Sequence, residues 1–164
     1  MFVLGIDPGL SRCGYCVLEV DDAGRAVARA LGIFSTPVDA PVPRRLAILH
    51  TDIRELLDEF PVAAVAVERV LFQVNVRTAM YVGQASGIVM AEAAGRGCDV
   101  VEYSPNQVKL AVAGYGAADK AQMQEMVRRL LGLASVPKPA DAADAAALAL
   151  CHVATSPALM GVVR

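Results

Sequence analysis

Two short apolar runs in this 164-residue chain each end in a carboxylate, and that placement restricts how the chain can fold. Residues 1–6 lead into Asp7 and residues 62–67 into Glu68. Both runs have the length and composition of a strand covered on both faces. An acid beside buried surface is rare unless it is paired or holds a metal. A second pair, Asp141 and Asp144, interrupts residues 140–150, which are otherwise Ala and Leu. Three residues apart on a helix, these two share one face near its N-terminus, where the helix dipole favours anions. Few cations stand near the four acids in the chain. If the first and fourth strands are parallel neighbours, Asp7 and Glu68 open into one cleft at the strand ends. The helix pair can then join them.

The rest of the chain supplies elements that permit this arrangement. Strands are expected at residues 2–7, 14–20 and 26–35, joined by turns at Pro8-Gly9 and at Asp21-Asp22-Ala-Gly24. Pro37, Pro41 and Pro43 break regular structure. From Arg44 the period becomes helical, with Leu46, Leu49, Ile53, Leu56, Leu57 and Phe60 in one stripe before Pro61. A fourth strand at 62–67 is followed by an irregular segment. A helix over 76–94 carries small residues (Gly83, Ala85, Ser86, Gly87, Ala91) suited to close packing against another helix. A fifth strand spans 98–103. Ser104-Pro-Asn-Gln107 has the form of a capping box with Pro at the first helical position. Gly114-Tyr-Gly116 is expected to be a mobile loop, before helices over 118–131 and 141–155. The order β-β-β-α-β-α-β-α-α-α implies one α/β domain over residues 1–164, a five-stranded mixed sheet with helices on both faces.

Composition excludes some classes. Hydrophobic residues make up 55% of the chain, but much of that is alanine. The uncharged stretch 145–163 holds His152, Thr155, Ser156 and Pro157, which fits a buried helix and a loop better than a membrane span. No leader-like segment precedes the first strand, so the expected location is the cytoplasm. Cys13 and Cys16 have C-x-x-C spacing, but on a strand residues three apart face opposite ways, so the four cysteines read as reduced thiols. Acids outnumber bases 17 to 15, yet setting the four carboxylates aside leaves 13 against 15. A nucleic-acid partner is permitted.

Ligands that are all oxygen favour Mg2+ or Mn2+ over zinc. Two such ions about 4 Å apart can activate a water and stabilise the leaving oxygen of a phosphodiester. Chemistry alone therefore points to metal-assisted phosphodiester cleavage.

The motifs also resemble those of a known family. Val3-Leu-Gly-Ile-Asp7-Pro-Gly9, Val67-Glu68-Arg-Val and Pro139-Ala-Asp141-Ala-Ala-Asp144-Ala occur in order. Between them lie Asn106-Gln-Val-Lys109, Gly114-Tyr-Gly116 and Asp119-Lys120. Over essentially the whole chain this pattern resembles the RuvC family of Holliday-junction resolvases. The resemblance implies an RNase H-like fold and a homodimer that makes paired symmetric nicks in four-way junction DNA. It implies 5′-phosphate and 3′-hydroxyl ends, Mg2+ or Mn2+ at two ions per active site, and partnership with the RuvA–RuvB branch-migration complex. Catalytic and metal-holding roles carry over to Asp7, Glu68, Asp141 and Asp144, and Lys109 and Lys120 match lysines placed near the scissile phosphate. Arg12, Arg69 and Arg77 are further phosphate-contact candidates. Leu71 stands where relatives often have an aromatic, and Phe72 follows, able to stack on an unpaired base. Some relatives have His where this chain has Asp141. His152 is expected to be structural, and the helix over 76–94 is the candidate dimer interface. The rival readings are another RNase H-like nuclease, an actin-like sugar kinase or ATPase, and a DNA-binding scaffold without catalysis.

Overall fold

The computed structural model describes residues 1–70 and 76–156. Its elements are β1 (Phe2–Asp7), β2 (Arg12–Val20), β3 (Ala26–Ser35), α1 (Val42–Glu59), β4 (Val62–Glu68), α2 (Val76–Gly95), β5 (Asp99–Tyr103), α3 (Pro105–Ala113), α4 (Lys120–Leu130) and α5 (Ala140–Thr155). The strands form one sheet in the order β3-β2-β1-β4-β5. β2 pairs antiparallel with both β1 and β3, while β1–β4 and β4–β5 are parallel. The expected mixed sheet and the adjacency of the first and fourth strands are both present.

Strand alternation divides the core in two. Val3, Cys16, Leu18 and Ala66 pack with α3, α4 and α5. Leu4, Ile6, Cys13, Val17, Val65 and Val67 pack with α1 and α2. Cys13 and Cys16 thus sit in different cores on opposite faces. Burial pushes both thiols up to about 12, so neither is a reactive thiolate.

Two glycines let α5 lie against the sheet. A Cβ at Gly5 would run into the carbonyl oxygen of Ala145, and one at Gly14 into that of Asp141. Both obstacles are backbone, so neither can turn aside. Glycine at these points brings the first turns of α5, with its two acids, onto β1 and β2.

Several boundaries differ from expectation. β2 starts at Arg12, two residues early. α1 starts at Val42 because a proline is tolerated in a first helical turn, whose N–H groups have no partner in the helix. α4 starts at Lys120, capped by the Asp119 side chain in a second capping box with Gln122. In the segment expected to be a mobile loop, Gly114 is the left-handed C-cap of α3, and the Tyr115 hydroxyl donates to Gln122 at 2.6 Å. On α2, Ala85 and Ser86 are buried with Val89 and Ala93, whereas Gly83 and Gly87 face open space.

The Ser104–Gln107 capping box forms as the sequence implies, with both reciprocal bonds in place. Ser104→Ala should therefore cost about 1 kcal/mol in urea-melt stability, the usual loss for a removed N-cap.

Candidate active site

Alternation on the strands decides where the first two acids point. Val3 and Gly5 face α5, and Asp7 continues that row at the end of β1. Ala66 faces the same way, and Glu68 continues its row at the end of β4. Parallel pairing of Ile6 with Val67 puts the two acids side by side, one residue further along. β1 meets Gly14 of β2 opposite Asp7, and Gly14 in turn lies under the Asp141 backbone. Helical spacing then presents Asp144 on the same face of α5. The four acids converge at one end of the sheet.

Their electrostatics report the convergence. The Asp7 carboxyl is pushed up to about 7, first by burial and then by Glu68, Asp144 and Asp141. Burial and Asp144 also raise Glu68. Lys120 opposes both shifts, and its own pKa is raised by the bond it donates to Asp144. Its Nζ stands 3.1 Å from Asp144 Oδ2, and Arg12 Nε stands 3.3 Å from Asp141 Oδ2. The expectation of few nearby cations is corrected here. Sequence distance hid both partners, which reach the α5 acids from β2 and from the start of α4.

Among the described residues, the Asp7 carboxylate makes no turn hydrogen bond and Glu68 makes no ion pair with Arg69. Pro139, not Asp141, is the N-cap of α5. Beside the acids a pocket of about 290 Å3 is lined by Glu68, Asp144, Lys109, Lys120, Met123 and Leu148, among others. Both candidate lysines therefore face the same cleft as two of the acids.

Among the described residues, no three Asp, Glu, His or Cys side chains are drawn into a ready-made cation cage. The donor set nevertheless fits a hard divalent ion. All four are carboxylates, and Asp7, pushed up to about 7 first by burial and then by the other three acids, is a group whose ionised form a divalent cation would favour.

The comparisons with known proteins decide the family. A profile described as crossover junction endodeoxyribonuclease RuvC matches residues 3–152. The crossover junction endodeoxyribonuclease RuvC of Streptomyces avermitilis is 52% identical over 159 residues, 96% of this chain and 90% of that protein. That of Leifsonia xyli is 50% identical over 150 residues, 92% of this chain and 72% of that protein. The structure of T. thermophilus RuvC in complex with Holliday junction substrate superposes with a TM-score of 0.90 at 39% identity, covering 99% and 97% of the two chains. The chain belongs to the RuvC family of crossover junction endodeoxyribonucleases. Its fold is RNase H-like, and the RuvC family uses divalent metal.

Arg69 is exposed just past Glu68, its backbone N–H donating to the Tyr103 carbonyl at 2.9 Å. Arg77, at the start of α2, donates to the Tyr81 hydroxyl at 3.1 Å and lies over that ring. Phe72 and Leu71 lie outside the described residues. His152 is structural: burial lowers its pKa, and the Tyr103 hydroxyl lies 2.9 Å from Nδ1, tying β5 to α5. No helix among the described residues is long and apolar enough to cross a membrane.

Sequence reasoning passed over Arg45, a guanidinium only 6% exposed. Its Nε donates to Thr36 Oγ1 at 2.9 Å and its Nη2 to Ser11 Oγ at 2.7 Å. It thereby anchors to α1 the turn that follows Asp7 and leads to Arg12. An arginine at a position that should face the core of an amphipathic helix was the available signal.

Proposed function

We propose that this chain is a structure-selective endonuclease that resolves four-way DNA junctions by paired symmetric nicks in recombination and repair. The observation that carries this reading is the convergence of Asp7, Glu68, Asp141 and Asp144 beside a cleft bearing Lys109 and Lys120. That site occurs in a chain half identical to crossover junction endodeoxyribonucleases.

Each residue has a role that follows from its place. Asp7 and Glu68 on the sheet, with Asp141 and Asp144 on α5, would hold Mg2+ or Mn2+, two ions per active site. Held there, such ions would supply Lewis-acid chemistry, lowering the pKa of a water and stabilising the leaving oxygen of a phosphodiester. Lys109 and Lys120 offer point charges to the phosphate oxygens around the scissile bond, where negative charge grows in the transition state. Lys120 is held ready for this by Asp144. The buried apolar cleft floor, Met123 and Leu148 included, lowers the local dielectric and strengthens those charges. Arg69 and Arg77 would contact flanking phosphates, and Phe72 would stack on an unpaired base.

A four-way junction presents equivalent strands related by a two-fold axis, so a two-fold homodimer matches it. α2 supports that reading with an open stripe of Val76, Met80, Gly83 and Gly87; Val76 is 73% exposed and Met80 55%. Met80→Glu should convert a dimer to monomer in light-scattering chromatography while leaving the fold intact. A cytoplasmic enzyme working with the RuvA–RuvB branch-migration complex completes the proposal.

The test is direct. Incubated with a synthetic four-way junction and Mg2+ or Mn2+, the protein should leave paired nicks that DNA ligase seals without further processing. Uncut junctions, or nicks that ligase cannot seal, would overturn the reading.

A further inference from the structure

Arg12 begins β2, and alternation along that strand puts its side chain on the same face as Gly14 and Cys16. That face is the one on which α5 lies. The guanidinium consequently reaches Asp141, with Nε 3.3 Å from Oδ2. Arg12 is the more exposed partner, 59% against 24% for Asp141. Its backbone is fixed at both ends. Ser11, the preceding residue, accepts a bond from the buried Arg45, and Arg12 itself pairs in register with Ser35 of β3. The long side chain is thus free to swing at the rim of the site while its root stays in place.

The pairing creates a conflict. Asp141 cannot give the same oxygen fully to an arginine and to a metal ion, and a fixed positive charge beside the acids opposes a second cation. An ion pair open to water on its arginine side is weak and easily exchanged. Once Asp141 turns to a divalent ion, the guanidinium loses its partner while standing beside the acids, where the reading above places the scissile phosphate. Arginine is well shaped to grip phosphate oxygens two at a time.

We infer that Arg12 is the resting counter-cation of Asp141, displaced when a divalent ion binds and thereby released to hold a DNA phosphate at the rim of the cleft. Arg12 is a positioning residue in the first state and a substrate-binding residue in the second. The inference rests on the metal-dependent nuclease reading above. Linkage makes the effect reciprocal: whatever takes up the guanidinium tightens metal binding.

The test uses the full chain and Mn2+ alone, with free Mn2+ followed by electron paramagnetic resonance. Arg12→Gln should bind Mn2+ roughly two- to fivefold more tightly than the unmodified protein, the scale of one exposed ion pair. Arg12→Lys, which keeps the charge, should return the affinity to within about twofold. At saturating Mn2+, Arg12→Gln should raise the KM for a four-way junction severalfold and leave kcat within about twofold. Circular dichroism of the metal-free variants checks that the fold is intact.

Equal or weaker Mn2+ binding by Arg12→Gln, while the unmodified protein binds normally, overturns the counter-cation. Tighter Mn2+ binding with an unchanged KM overturns the hand-over to phosphate. Failure of the unmodified protein to bind Mn2+, or retention of binding by Asp7→Asn, overturns the metal-site reading and this inference with it.

Discussion

Replacing Asp7 by Asn is expected to lower junction cutting by roughly three orders of magnitude and, at pH 8 without metal, to make the protein more stable. The first effect follows from position. Asp7 lies between Glu68 on β4 and the α5 acids, so its loss removes the charge that links the strand and helix halves of the site. Losing one preorganised charge at such a centre costs on the order of 10²–10³ in rate, and losing the ion it holds costs more. The second effect follows from the same crowding. Folding raises the Asp7 pKa from 3.8 to about 7, chiefly by burial. Between those values the folded protein holds a proton that the unfolded chain has released, so stability falls as pH rises. The loss begins near pH 4 and is complete above about pH 7. It amounts to on the order of 2–4 kcal/mol at most, since neighbouring acids share the strain. Asn has no proton to lose in this range. Thermal melts of the metal-free proteins should coincide near pH 4 and diverge by several degrees at pH 8, with Asp7→Asn the higher. Adding Mn2+ should raise the melting temperature of the unmodified protein and leave the variant nearly unmoved. A variant less stable than its parent at pH 8 would contradict the electrostatic account.

Gly14→Ala is the second large effect. The added methyl meets the carbonyl oxygen and carbon of Asp141 and the amide of Ala142, all backbone. No rotamer change relieves that clash, so α5 must shift away from β2. Overpacking of this kind costs about 1–3 kcal/mol. The displaced segment carries Asp141 and lies one turn before Asp144, so cutting should fall more than stability alone explains, by roughly a hundredfold where the fold is still intact. Gly95→Ala, at the end of α2 with open space around it, is the control and should change neither quantity. Urea melts with single-turnover cutting at a temperature where both variants are folded separate the two effects. A Gly14→Ala protein that cuts normally would mean α5 tolerates displacement.

Much of this site was legible in the residues themselves. Runs ending at Asp7 and Glu68 are strands, and the helical spacing of Asp141 and Asp144 holds, because these signals are local and repeat with the period of one element. The separation of Cys13 and Cys16 onto opposite faces followed from the two-residue period alone. Asp119 was legible too, since Asp-x-x-Gln is a capping pattern and both reciprocal bonds form at the start of α4. What could not be read were contacts across long sequence distances between exposed charges. Lys120 to Asp144 and Arg12 to Asp141 span 24 and 129 residues, and no periodicity links them. Gly5 and Gly14 were visible as glycines within strands, which signals close approach. Only the three-dimensional structure shows that the approaching backbone is that of the helix carrying the acids.

The central claim joins a metal-assisted phosphodiester chemistry to a branched substrate. Strand-resolved cleavage of a four-way junction and a linear duplex of the same sequences, both with Mn2+, tests that join most directly. The account predicts nicks on two opposed junction strands, at matching positions, with the duplex left intact. Equal cutting of junction and duplex would contradict it.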